Sequence, residues 1–239
     1  MAVNPRAREA ADALDAERAS RGPRGPLHGI PVLVKDNYET IEMPTAGGID
    51  RAGVVPPGAR RASWSTRLKA AGAVILGKTN MHELAAGIFT AGSRFGGRPR
   101  NPYDLDRNPG GSSGGTGAAV AANFAAGGMG SDTCGSIRIP ASHNNLVGLR
   151  GTRDCRAAPA SCRSRRTQDI GGPLARSIAD LAVMLDATVG ADPADSVDGG
   201  ERREDSVVVS RSACAPTRWR RRASASCAAC SAPRPRIRK

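Results

Sequence analysis

Two short stretches of this chain concentrate the residue types that covalent chemistry needs. Residues 110–117 read GGSSGGTG, five glycines around the adjacent Ser112 and Ser113, and residues 131–140 read SDTCGSIRIP, with Ser136 after a turn of small residues. Glycine costs conformational entropy on folding, so this density marks backbone that must approach something closely or take up positive φ. As a phosphate cradle the first loop lacks the Lys-Ser/Thr ending of a Walker-type loop. It satisfies G-x-S-x-G about Ser113, but a nucleophile elbow needs a strand directly before it, and the preceding DLDRNPG is a loop. The bland alternative is a flexible linker. The histidines, His28, His82 and His143, stand in no triad context, and His82 reads as a helix-surface residue. Cys227-x-x-Cys230 has no second pair or histidine cluster to complete a zinc or redox site, so no metal is expected.

The elements that must position these loops alternate strand and helix, which makes the chain α/β. Asn4 followed by Pro5 predicts an N-cap and a first-turn proline, with a helix to about Arg18. IPVLVK is an apolar, β-branched run that predicts a buried strand ending at Lys35. A helix end capped at Gly72 leads into AVILG, a second strand, and a further helix is expected from about Asn80. RNPYDLDRNPGG is a proline-punctuated loop, and GTGAAVAANFAAG is a helix of small residues able to pack closely. Ser177-x-x-Asp180 has the form of a capping box, and Ile178, Leu181, Leu185 and Val189 predict the apolar stripe of a helix running to Gly190. No internal repeat is visible.

The 239 residues suffice for one or two domains with a core. There is no run of eighteen apolar residues to span a membrane, and the charged N-terminus lacks the apolar stretch of a secretory signal, so a cytoplasmic protein without membrane partners is expected. The net charge of +13 would suggest a nucleic-acid partner, but its distribution argues otherwise. Residues 153–166 carry net +4, and residues 206–239, with eight Arg, one Lys and no acid, carry net +9. The rest of the chain is therefore neutral, and no nucleic-acid binding is expected of it. A basic-tail binder remains the alternative, marked by salt-dependent DNA binding that disappears on removing residues 206–239. With Trp219 as its one aromatic, such a tail has little for bases to stack on. Five of the six cysteines (Cys155, Cys162, Cys214, Cys227 and Cys230) lie in these two segments, and only Cys134 lies outside. After Asp205 the apolar periodicity stops.

GIPVLVKDN, AGAVILGKTNMHELA, RNPYDLDRNPGGSSGGTGAAVAA, GSDTCGSIRIPAS, NNLVGLRGT and TQDIGGPLARSIADLAVMLD follow one another in this order. Together they resemble the amidase signature family of serine hydrolases, which cut the C–N bonds of amides. The resemblance covers most of residues 4–205. It implies an α/β fold with a mixed central sheet flanked by helices, of which the N-terminal and central part is present, and a small-molecule amide as substrate, with self-association left open. It implies no organic or metal cofactor. It also implies a Ser–cis-Ser–Lys triad. Lys35 in VKDN matches the family lysine, Ser112 the bridging serine held by a cis peptide, and Ser136 in CGSIR the nucleophile, whereas Ser113 plays a supporting part. A neutral amine can replace histidine as the base for serine. Making a lysine neutral at pH 7 takes a shift of about 3.4 units, roughly 4.6 kcal/mol, which burial can supply. The turn DTCGS would aim the backbone N–H groups of Thr133, Cys134, Gly135 and Ser136 at the developing oxyanion. Asp132 is expected to anchor that turn by hydrogen bonding, and Arg138 either pairs with Asp132 or meets an acidic substrate, the pairing being favoured.

Three features depart from the family pattern. Cys134 occupies a position commonly glycine, and a side chain there is strained if that residue requires positive φ. Residues 153–166 keep the expected length but lose the family character, as a compensated pair of frameshifts would produce. The stretch GARRASWS is a smaller candidate of the same kind. Residues 206–239 read as an uncompensated shift or as a real basic tail, outside the fold. The expected organisation is thus a partial amidase signature domain over residues 1–205, anomalous at 153–166, followed by that tail. Two readings follow: an amidase working through Lys35, Ser112 and Ser136, or a catalytically inactive, poorly folded fragment of a frameshifted amidase gene with exposed apolar surface.

Overall fold

The apolar run that ends in Lys35 forms the strand its pattern predicts, β1 (Pro31–Lys35), with Val32 and Val34 wholly buried. It sits inside a computed structural model that describes residues 2–49, 55–57, 63–90, 97–151 and 168–189. The anomalous stretch 153–166, residues 58–62 of GARRASWS, the basic tail and its cysteines lie outside the described residues.

Before β1 runs α1 (Ala7–Arg21), three residues longer at its end than the sequence predicts. Its cap position falls on Arg6, without a side-chain cap, rather than on the expected Asn4 with Pro5 in the first turn. Asn4 Oδ1 accepts the Arg6 N–H just before the helix, and the Asn4 amide donates to Ile75 O at 2.7 Å, tying this end to the sheet. After α2 (Ser63–Ala70) comes β2 (Val74–Thr79), which starts one residue later and ends two residues later than the expected strand and runs parallel to β1. Trp64, in the last part of GARRASWS, is a core residue that meets Tyr38 edge-on at 6.1 Å.

Instead of the helix expected from Asn80, the structure has a 3-10 turn at Glu83–Ala85 in which Leu84 and Ala85 take positive φ. The i to i+4 bond that would open such a helix is replaced at both ends: Leu84 N–H goes to Gly47 O and Asn80 O accepts the Gly115 N–H, while His82 N–H goes to Ser112 O. His82 is therefore a half-buried loop residue whose Nδ1 lies 3.1 Å from Phe89 O, not a residue on a helix surface.

The small-residue segment forms α3 (Gly114–Ala121), followed by β3 (Gly127–Asp132), α4 (Arg138–His143), β4 (Val147–Gly148), β5 (Ile170–Ala175) and α5 (Ile178–Thr188). The sheet order is β2-β1-β3-β5-β4; β1 pairs in parallel with β2 and β3, and β5 runs antiparallel to β3 and β4. The mixed sheet flanked by helices is the architecture the sequence implies.

Glycines in β3 explain how helices press on both faces of its centre. A Cβ at Gly127 would lie 2.2 Å from Met184 Sδ on α5, and one at Gly128 would lie 2.5 Å from Thr116 Cγ2 on α3. Successive strand residues point to opposite faces, so α5 and α3 close on the strand from either side. On the α5 face the core gathers Val32, Val34, Trp64, Leu68, Ile75 and Met129; on the other it gathers Ile137, Ala141 and Leu174. The N-cap half of the expected capping box forms at α5, Asp180 N–H donating to Ser177 Oγ at 3.1 Å, while Asp180 Oδ2 accepts from the Ser177 hydroxyl at 2.7 Å rather than from the Ser177 N–H. Its apolar stripe is rotated from the expected one, with Leu181, Met184, Leu185 and Thr188 buried and Ile178 exposed.

Candidate active site

β1 delivers Lys35 to the middle of the molecule. The side chain is fully buried, and its Nζ lies 2.7 Å from Ser112 Oγ, 2.9 Å from Ser131 Oγ and 3.4 Å from Ser131 O. Burial pushes the amine down from 10.5 to about 7, against the attraction of the Asp169 and Asp132 carboxylates. A buried ammonium loses hydration that two hydroxyls and a carbonyl only partly replace, so the neutral form gains.

Ser112 follows a cis peptide bond from Gly111. Its loop is pinned on both sides: Thr90 Oγ1 donates to Gly110 O at 2.7 Å, and Ser112 O accepts the His82 N–H at 3.0 Å. Ser113, also wholly buried, heads α3. Its Oγ donates to Ser131 O and accepts the Ser131 N–H, and its own N–H donates to Ser136 O at 3.2 Å. That last bond joins the two loops, bringing Ser136 beside the serine pair. Ser136 is 4% exposed, and its Oγ makes no hydrogen bond among the described residues.

Asp132 organises the turn that carries Ser136, as expected. It accepts the Gly135 N–H at 2.7 Å and the Ile137 N–H at 3.1 Å, and it meets the Arg138 guanidinium through Nε at 3.1 Å and Nη2 at 3.2 Å. Arg150, which the sequence reading did not single out, adds a second guanidinium at 3.5 Å. Burial alone would raise the Asp132 carboxyl; Arg138 and the Ile137 and Gly135 amides together outweigh it and hold the group below its usual range. The pairing of Arg138 with Asp132 is thus the arrangement present.

One expectation for the turn is corrected, and the condition set on Cys134 is resolved. The Gly135 N–H is committed to Asp132 and does not stand free for an oxyanion, which leaves the amides of Thr133, Cys134 and Ser136 without a partner among the described residues. Cys134 carries no positive φ; the left-handed position falls on Gly135, at φ 142, so the side chain at 134 is exposed and unstrained.

Two residues beside the lysine also escaped the sequence reading. Ser131 holds Nζ through two oxygens, and Asn37 Nδ2 donates to Ser131 Oγ at 2.8 Å. A hydroxyl one place before the end of an unannounced strand gives no signal of its own. Asn37, inside VKDN, had only its proximity to Lys35 to recommend it. His28 is a core histidine: its Nδ1 accepts the Arg24 N–H, so the Nε2 proton points to Leu14 O at 2.8 Å. Among the described residues no cluster of three or more His, Cys, Asp or Glu is arranged for a metal, and no helix is long and apolar enough to cross a membrane.

The chain that carries this buried lysine and cis-linked serine is similar to known proteins. The family model described as Amidase matches residues 1–212, and the chain belongs to that family. It is 44% identical over 171 residues to a glutamyl-tRNA(Gln) amidotransferase subunit from Methanosarcina mazei, covering 71% of this chain and 35% of that protein. The native peptide amidase of Stenotrophomonas maltophilia superposes with a TM-score of 0.76 at 40% identity, covering 84% of this chain and 42% of the other. The corresponding glutamyl-tRNA(Gln) amidotransferase subunit from Thermotoga maritima superposes with a TM-score of 0.67 at 34% identity, covering 73% and 38%. The chain thus spans about two fifths or less of the length of each of these relatives.

Proposed function

We propose that this chain carries the base, relay and nucleophile of a cytoplasmic amidase that hydrolyses a small-molecule carboxylic amide through a seryl acyl-enzyme. The supporting observation is Lys35, wholly buried with Nζ 2.7 Å from the Oγ of the cis-linked Ser112. Neutral Lys35 takes the Ser112 hydroxyl proton as Ser112 takes that of Ser136. The Ser136 oxygen then bonds to the amide carbon, and the oxyanion collects the free amides of Thr133, Cys134 and Ser136. Loss of one such donor costs on the order of 3–4 kcal/mol. The proton returns from Lys35 through Ser112 to the amide nitrogen as the C–N bond breaks. Water, deprotonated by the same relay, cleaves the ester to release the acid and restore Ser136. Ser113 supports the relay by joining the loops, and Asp132 with Arg138 fixes the turn. The chemistry calls on no cofactor.

The test is covalent labelling by a fluorophosphonate. The full chain is expected to react at Ser136 and the Ser136→Ala variant not at all; labelling that survives Ser136→Ala overturns the assignment. We assign the work to residues 1–205, with residues 206–239 apart from it, so deleting the tail should leave the thermal midpoint in place. The exposed Phe89 (57%), Ile88 (46%) and Phe124 (72%) favour a second reading, an inactive fragment of a frameshifted gene. A broad, uncooperative unfolding transition together with unlabelled Ser136 would select it.

A further inference from the structure

Ser131 supplies two of the three oxygens around the lysine amine, and the proposed reaction gives it no part. A neutral primary amine has two N–H groups and one lone pair, whereas its ammonium has three N–H groups and none. Around Lys35 Nζ the structure sets three oxygens: Ser112 Oγ at 2.7 Å, Ser131 Oγ at 2.9 Å and Ser131 O at 3.4 Å. The carbonyl can only accept. Ser131 Oγ already takes the Asn37 Nδ2–H at 2.8 Å, and its remaining lone pair is open to Nζ. If both Ser131 oxygens accept from Nζ, the two N–H groups of the neutral amine are used up, and the lone pair faces Ser112.

We propose that Ser131 is a positioning residue that aims the Lys35 lone pair at the Ser112 hydroxyl, with Asn37 keeping the Ser131 oxygen turned to accept. This rests on the Lys35–Ser112–Ser136 reading and names a further determinant of it. After the proton moves from Ser112 Oγ to Nζ, the ammonium directs one N–H to each of the three oxygens, so no side chain has to turn during the transfer. Without the Ser131 hydroxyl one N–H loses its acceptor, and the amine can rotate that N–H toward Ser112, which blocks the transfer. The charged amine makes the stronger hydrogen bond, so it loses more than the neutral one. Asp132 and Asp169 attract the charged form of Lys35, and His82 is the other titratable group that feels it; all three remain when Ser131 is changed.

The experiment pairs two readouts on the full chain. One is a pH titration of Lys35 by NMR of 13Cε-labelled lysine, with the resonance assigned by its disappearance in Lys35→Met. The other is the rate and half-saturating concentration of fluorophosphonate labelling against pH. Ser131→Ala should lower the labelling plateau about 10- to 100-fold at an unchanged half-saturating concentration. It should also move the Lys35 midpoint down by about one unit. Ser131→Cys, nearly isosteric but a weak acceptor, should do the same and carries the test if Ser131→Ala unfolds. Ser131→Thr, where it folds, should recover most of both. An unmoved midpoint with an unmoved plateau overturns the proposal, as does a lost plateau at wild-type midpoint, which marks a merely structural residue. If the wild type never labels yet the midpoint responds to Ser131, the amidase reading fails for this chain while the placement of the lysine stands.

Discussion

Lys35 and Lys78 lie on neighbouring parallel strands one register position apart, Val34 pairing with Lys78 and Lys35 with Thr79, and both are buried. Their surroundings differ in one respect that decides their chemistry. Lys78 has a carboxylate, Asp36 Oδ1, at 3.9 Å, and it donates to Tyr38 O and to Thr45 Oγ1, stitching the loop after β1 to β2. Lys35 is met at hydrogen-bond distance by neutral oxygens; the Asp169 and Asp132 carboxylates attract it without outweighing its burial, and Asp132 is itself occupied by two guanidiniums. A buried cation with an anion beside it makes a structural tie, and breaking such a pair leaves an uncompensated charge. A buried amine among hydroxyls can give up its proton and become a base. Burial is common to both; the neighbour is what separates a clamp from a catalyst.

The sharpest way to break this contrast is to replace each lysine by methionine, which keeps most of the volume and removes the charge. Lys35→Met should cut Ser136 labelling by about 10²–10⁴-fold, the span of a lost general base, without loss of fold; a smaller fall would show that the amine is no base. The pH dependence of stability comes next. Lys35 titrates near 7 when folded and near 10.5 when unfolded, so between those values the unfolded chain holds the extra proton. Stability therefore rises with pH across that window, by on the order of 4 kcal/mol, and the cost of burial is felt in full below about pH 7. Denaturant midpoints taken from pH 6 to 10 should show this rise in wild type and lack it in Lys35→Met.

Lys78→Met should do the reverse of Lys35→Met. It should lose about 2–4 kcal/mol in denaturant unfolding, because Asp36 is left without its partner, and labelling by the protein that remains folded should change by less than tenfold. Ser177→Ala, remote from both lysines, sets the lower end of the scale. It removes an N-cap and should cost about 1 kcal/mol with no effect on labelling. An activity loss there would mean that global stability, not the neighbour of each lysine, governs the readout.

The parts of this site that were legible in the sequence are those whose chemistry is local. GGSSGG and DTCGS announce tight backbone by composition, and Ser177 with Asp180 spells its own cap; a lysine at a strand end reads by pattern as a solvated charge, and only the family resemblance turned Lys35 inward. What stayed illegible depends on partners distant in the chain. Where a helix was expected after Asn80, Leu84 N–H is taken by Gly47 and Asn80 O by Gly115, both remote in the chain. The Gly135 amide looked free because DTCGS, although it offers Asp132 as the anchor of the turn, does not say which N–H Asp132 takes. Ser131 is one small residue in a strand, and only the sheet brings it 2.9 Å from a lysine 96 residues away. Lys78 stands in the quoted GKTNMHELA, yet a lysine by itself does not say whether a carboxylate will face it.

The packing around the serine pair has a consequence for anyone wishing to reshape the protein. A Cβ at Gly115 would lie 2.3 Å from Asn80 O, one at Gly114 2.4 Å from Thr90 Oγ1 and one at Gly111 2.8 Å from Thr90 N. The relay is thus walled by backbone and short side chains with no clearance, and a library built there would return mostly unfolded clones. Leu84, Ile88 and Phe89, exposed on the segment that grips the same loop through His82, offer the opposite case, because exchanging them sacrifices little packing. Directed evolution of this scaffold has its editable margin on that rim, a few residues from machinery that tolerates no edits.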